Sequence, residues 1–290
     1  MALVMVTKDG TYNNGDDSAK KTFFESLGYM VTAIADDDTQ AAYDNAAASN
    51  DVMWICATVD APSTAGQRAR GLDIGIVSED NSTWDELMYY SGSSSSSDNS
   101  TSIYVNTNSH YITEPFSTGA LPVFSSSTIR SGWNIALPAG ATLLAEISSG
   151  GADTIFVVED SGALYNSNYA ANRRVFFGVT DNTGFSNRTA NLETLLERSL
   201  GWALGNPDLY PDSTSNLNHG DVYVSAIGKG GKIDGGQDFD GVDDYISIPR
   251  HSTLEPSTAI TFEAWLNWDN HSASAYGAVI HKPKDTDTDP

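Results

Sequence analysis

The chain has 290 residues, 40% of them hydrophobic, enough for one large core and part of another, which excludes a disordered tail. Its 38 Asp and Glu against 15 Lys and Arg give a formal charge of -23, a field that repels nucleic acid and anionic membrane and suits a saline or calcium-containing exterior. The single cysteine, Cys56, excludes an intramolecular disulfide and a cysteine-based zinc cluster. No run of 18 apolar residues is present to span a membrane. Residues Met1 to Thr7 lead straight into a strand, with no basic region, apolar segment and cleavage site ahead of it, so no signal peptide is visible.

From Ala2 the runs ALVMVT, DSAKKTFFESLG, YMVTAIA, TQAAYDNAAASN and DVMWICAT alternate short apolar stretches with amphipathic ones. This β-α-β-α-β order predicts a parallel sheet covered on both faces, with Asp16 or Asp17 capping the first helix and Gly28 ending it. A fourth strand, DIGIVSE, is followed by a helix-like NSTWDELMYY, and GSSSSSDNSTS then reads as a polar loop. The strands SIYV, LPVFSSS, ATLLAEIS and DTIFVVED, joined by turns, predict an antiparallel extension, and RRVFFGVTDN with NLETLLERSLGWALG restores the strand-helix order. The expected domain is 1–205. Residues 206–220, with two prolines, three asparagines and no periodicity, read as a linker. From Asp221 only β signals follow: DVYVSAIG, KIDGGQDF, DDYISIP, AITFEAWLNW and YGAVIHKP. Alternation in ITFEAWLNW predicts a half-buried strand with Phe262, Leu266 and Trp268 on its core face and Trp265 on the other.

Two family resemblances follow from these stretches. Residues 1–205, through ALVMVTKDGTYNNGDDSAKKTFFESLGYMVT, GIVSEDNSTWDEL, RRVFFGVTDN and LLERSLGWALG, resemble flavodoxin-like, class I glutamine amidotransferase-like domains of large microbial surface proteins. Residues 221–290, through DFDGVDDYISIP, LEPSTAITFEAWLNW and AVIHKP, resemble the amino-terminal part of a laminin-G-like, concanavalin A-like jelly roll. The implied fold class is α/β, a mostly parallel sheet with helices on both faces and an antiparallel extension, followed by a partial all-β jelly-roll segment. A sandwich of this kind needs further strands, either later in a longer chain or added by another copy of this one.

The amidotransferase resemblance implies a nucleophilic cysteine on the turn after the fourth strand and a histidine after the last one. Here those places hold Val77-Ser78-Glu79-Asp80 and Thr180-Asp181-Asn182, so no catalytic residue is expected. Cys56 at the end of the third strand reads as a buried thiol, with none of the histidines (His110, His219, His251, His271, His281) on a strand end of its sheet. The crevice rim is expected to carry Asp9, Asp16, Asp17, Asp36, Asp37, Asp38, Asp60, Glu79, Asp80 and Asp181, which disfavours phosphate and any nucleotide cofactor. In the second segment Asp238, Asp240, Asp243 and Asp244 offer oxygen ligands of the kind calcium takes, though not at EF-hand spacing. Trp265, Trp268 and Tyr276 are candidates for stacking on sugar rings. Asn-X-Ser/Thr triplets stand at Asn81, Asn99, Asn187 and Asn270, compatible with a glycosylated surface protein.

Together these features lead to an expectation of a non-enzymatic extracellular or cell-surface protein. Its partners would be a glycan, another surface protein or further copies of itself, engaged for adhesion or assembly. The alternatives are an accessory region of a larger carbohydrate-active or amidase-like enzyme, or a viral receptor-binding component.

Overall fold

The computed structural model describes residues 1–91, 95–180 and 184–205, and beyond these 209–210, 220–223, 226–230, 235–239, 245–248, 254, 259, 261–266 and 280–281. The chain divides into two compact units, Met1–Pro207 and Asp208–Pro290.

In the first unit the elements are β1 (Ala2–Thr7), α1 (Gly15–Ser26), β2 (Met30–Ala35), α2 (Gln40–Ser49), β3 (Val52–Ile55), α3 (Pro62–Ala69), β4 (Gly75–Ser78) and α4 (Trp84–Leu87). There follow β5 (Ser95–Ser100), β6 (Ser102–Val105), β7 (Gly119–Pro122), β8 (Thr128–Trp133), β9 (Ala141–Glu146), β10 (Asp153–Val158), β11 (Arg174–Phe177) and α5 (Ala190–Ala203). The sheet runs β2-β1-β3-β4-β11-β10-β9-β6-β7, with β8 on β10 and β5 on β8. Its first five strands are parallel and the rest pair antiparallel, as the change of rhythm in the sequence predicts.

Because side chains alternate across a strand, the apolar runs feed two cores. Leu3, Met5, Trp54 and Cys56 lie in one, with Phe24, Leu192 and Leu196 from the helices. Val4, Val6, Met53 and Ile55 lie in the other, with Tyr43, Ala65 and Trp84. Each fully buried large side chain contributes about 1.5–3 kcal/mol relative to exposure. Gly75 marks where α5 sits on β4: a Cβ there would stand 1.8 Å from the Ala203 carbonyl oxygen, so only a bare backbone allows the contact.

Several local expectations are corrected. Asn14, not Asp16 or Asp17, caps α1, its side chain accepting from the Asp16 amide; Asp16 and Asp17 fill the first turn, where carboxylates oppose the positive end of the dipole. Gly28 does end the helix, at φ 88°. NSTWDELMYY is helical only in a 3₁₀ turn at Asn81–Thr83 and in α4, because Tyr89 turns left-handed at φ 55°. The serine-rich stretch expected as a loop forms β5, and TIRSGW forms β8 beside it. Backbone pairing along all six residues overrides the weak strand propensity of serine, helped by the buried Arg130 guanidinium donating to Asp98 Oδ2 at 2.7 Å.

The second unit contains an antiparallel set β12 (Leu209–Tyr210), β13 (Gly220–Tyr223) and β16 (Tyr245–Ser247), and a hairpin of β14 (Ala226–Gly230) with β15 (Gly235–Asp238). Leu209 and Tyr210, read from sequence as linker, pair with Asp221 and Gly220. The strand expected over ITFEAWLNW is not formed at residues 261–266, and Phe262 and Leu266 are each 60% exposed. Alternation buries a face only where a second layer covers it, and none does so among the described residues. Trp268, Tyr276, Asn270, Asp240, Asp243 and Asp244 lie outside the described residues, and of Asp238 the backbone, in β15, is described.

Gly75→Ala is expected to destabilise the first unit by about 2 kcal/mol or more, since neither backbone can yield without moving α5 off the sheet. Denaturant unfolding followed by tryptophan fluorescence measures this, and an unchanged midpoint would contradict the close approach.

Candidate functional site

Open α/β sheets bind ligands outside the carboxyl ends of their parallel strands, where the chain order reverses. Here that point lies between β1 and β3. The residues leaving the strands are held in place by the ladder itself: the Cys56 amide donates to the Val6 carbonyl and the Glu79 amide to the Ile55 carbonyl, both at 3.0 Å.

The centre of this end is a buried ion pair. Lys20, from the second turn of α1, is 1% exposed and its Nζ lies 2.7 Å from Glu79 Oε2. The same oxygen accepts from the Ala57 amide at 3.3 Å, and Oε1 accepts from the Thr180 hydroxyl. Asp17, one turn before Lys20 and 2% exposed, accepts from the Thr58 hydroxyl at 2.7 Å. Cys56 is wholly buried beside them. Over this assembly lies Phe185, with the Lys20 ammonium 5.8 Å from its ring centroid and Phe23 edge-on at 6.0 Å.

Burial alone would lower the Lys20 pKa, but Glu79, then Cys56 and Asp17, reverse this and hold it above its ordinary value. Burial pushes Glu79 upward against the pull of Lys20 and Thr180, and raises Asp17 against Thr58 and Lys20. Burial, followed by the negative charge of Asp17, drives the Cys56 thiol well above its ordinary range. A shift in that direction favours the protonated thiol at neutral pH over the thiolate.

The acids expected on the rim mostly hold backbone. Asp36 is buried and accepts from the amides of Asp60 at 2.5 Å and Ala61 at 2.8 Å; Asp38 accepts from Ala35, Asp80 from Ser82, and Asp9 from Thr11. Asp60 pairs with Lys8 at the surface. Asp181 lies outside the described residues. Among the described residues no group of three or more His, Cys, Asp or Glu is arranged to hold a metal. Ser78, in the turn where the resemblance implies a nucleophile, is buried and bonded to the Thr83 hydroxyl at 2.7 Å. His110 packs on Trp202 at 5.3 Å, beside the last turn of α5 at the amino end of β4, the opposite end of the sheet from Cys56.

Lys20 is the member of this group that the motif reading passes over. The signal was present: positions 20, 23, 24 and 27 share one helix face, and the other three are Phe23, Phe24 and Leu27, so the lysine stands inside an apolar stripe. A charge there must find a partner.

No family model and no curated protein matches the chain. Among solved structures it is similar to a ThuA-like protein from Bacteroides uniformis, at 13% identity and a TM-score of 0.46, covering 70% of this chain and 90% of that one.

Lys20→Met is expected to cost about 3–5 kcal/mol, because it strands the Glu79 carboxylate in the interior, whereas Lys20→Met with Glu79→Leu should recover most of the loss. Unfolding in urea at pH 7 separates these outcomes, and equal stability of the single and double variants would deny the coupling. A second carboxyl, Glu86 of α4, is 6% exposed against α3, with Oε2 unpartnered among the described residues. Burial, and then Asp85 beside it, raise it to about 7. The folded state therefore prefers the protonated form, and the stability it gives below about pH 4.5 is lost as pH rises through 7. Glu86→Gln should accordingly gain about 1–3 kcal/mol on the natural chain between pH 5 and 8. Parallel melting profiles across that window would refute the assignment.

Proposed function

We propose that the chain is a non-enzymatic extracellular surface or appendage protein, whose α/β unit is a scaffold closed at the place where related folds react with or bind ligands. The observation that carries this reading is the filled crevice: Lys20 neutralises Glu79 at 2.7 Å under Phe185, and Cys56 is wholly buried with a protonated thiol. A nucleophile needs exposure and a base, and an oxyanion needs free donors. Neither is offered there by the described residues. The charge of -23 supports an exterior location, where salt screens self-repulsion. The unit from Asp208 onward then supplies contact with a glycan, a surface protein or another copy. Its exposed Trp265 is available for stacking, and Asp238, Asp240, Asp243 and Asp244 are the proposed calcium ligands.

A glutaminase, amidase and esterase screen of the purified chain is expected to show no turnover, and Cys56 is expected to resist thiol reagents until the protein unfolds. Turnover that disappears in Cys56→Ala would overturn the scaffold reading.

A further inference from the structure

Of the four Asn-X-Ser/Thr triplets, Asn270 lies outside the described residues, and the other three occupy different environments. Asn81 opens the 3₁₀ turn before α4, and its Thr83 is completely buried, the hydroxyl engaged with Ser78 and the Asp80 carbonyl. Asn187 ends another tight turn, and its Thr189 hydroxyl donates to the Pro122 carbonyl at 3.2 Å. In both, the hydroxyl that an acceptor triplet must present is committed to the fold.

Asn99 differs on each count. Asn99 and Ser100 lie at the end of β5, whose one sheet partner among the described residues is β8, and the chain bends at Thr101. Its side chain is exposed, and the Thr101 hydroxyl has no hydrogen-bond partner among the described residues. Directly across the ladder stands Ile129, an aliphatic side chain left 46% exposed on a strongly charged chain. Asn99 and Ile129 share one face of the β5-β8 pair, while Asp98 and Arg130 form an ion pair on the other. Around the two lies a shallow depression of about 370 Å³, lined also by Ser127, Ser186 and Asn187. It combines one apolar patch with hydroxyl and amide partners, the mixture a sugar ring presents in return.

We infer that Asn99 is an N-glycosylation site and that the first sugar of the attached glycan rests in this depression over Ile129. The inference rests on the exterior location proposed above. The modification is carried out by a glycosyltransferase on a lipid-linked phosphate donor: the bond from the anomeric carbon to the phosphate oxygen breaks, the oxygen keeps the electron pair, and the proton that Asn99 Nδ2 loses as it bonds to that carbon passes through a base of the transferase to water.

The test is peptide mapping by mass spectrometry of the full chain purified from its source, together with protease accessibility on intact cells. Most molecules should carry a sugar mass on the peptide containing Asn99. Thr101→Ala should abolish it, Thr101→Ser should keep it, and Asn187→Gln should leave it unchanged. Ile129→Ser should preserve attachment while exposing the glycan to faster endoglycosidase release. Unmodified Asn99 in protein that protease reaches at the cell surface overturns this inference alone. Unmodified Asn99 in protein confined to the cell interior overturns both it and the exterior location. Sugar on Asn81 or Asn187 in place of Asn99 would overturn it as well.

Discussion

The pairing of Lys20 with Glu79 is the constraint around which the α/β unit is arranged. Taking an ammonium and a carboxylate out of water is expensive, and the cost is offset only where every remaining donor and acceptor finds a partner in good geometry. The Thr180 hydroxyl and the Ala57 amide supply those partners for Glu79. The consequence is mechanical as well as electrostatic. One cluster fixes α1 against the ends of β3, β4 and β11, neighbouring strands of the sheet that come from distant parts of the sequence.

At the opposite end of the sheet the buried guanidinium of Arg174 is held by carbonyls, with its Nε unpartnered among the described residues. Arg174, 1% exposed at the start of β11, donates to the carbonyls of Ile74 and Leu72, and at longer range to those of Arg70 and Arg173. Burial lowers its pKa to about 10, which leaves it charged at neutral pH. One side chain, reaching across a hundred residues, thereby donates to the carbonyl that caps α3 and to those of the turn leading into β4. Open edges receive similar treatment. On β2 the Val31 carbonyl accepts from the Tyr12 hydroxyl and the Ala35 amide donates to Asp38, so the outward-facing groups of that strand are partly occupied.

These arrangements account for much of what the acidic composition does in the first unit. Asp9 and Asp80 accept from amides in the turns after β1 and β4, Asp38 from the last amide of β2, and Asp36 from the amides of Asp60 and Ala61 in the connection after β3. Such carboxylates organise the loops, and the crevice they surround is occupied by Phe185, Phe23 and the ion pair.

Periodicity in the sequence determines the parallel core: ALVMVT, VMWI and GIVS alternate their side chains into two apolar layers, and the amphipathic runs between them become α1, α2 and α3. Local chemistry likewise marks Gly28 as a helix end. It does not reveal that Ser95–Ser100 is a strand, because that depends on the backbone of β8 and on Arg130, thirty-two residues away from Asp98. Nor does it join Lys20 to Glu79, fifty-nine residues apart, although the lysine's place in an apolar stripe announces that some partner must exist. Burial and pairing of charge are properties of what surrounds a residue after the chain has folded. The sequence can therefore require a partner, while only the tertiary structure decides which one.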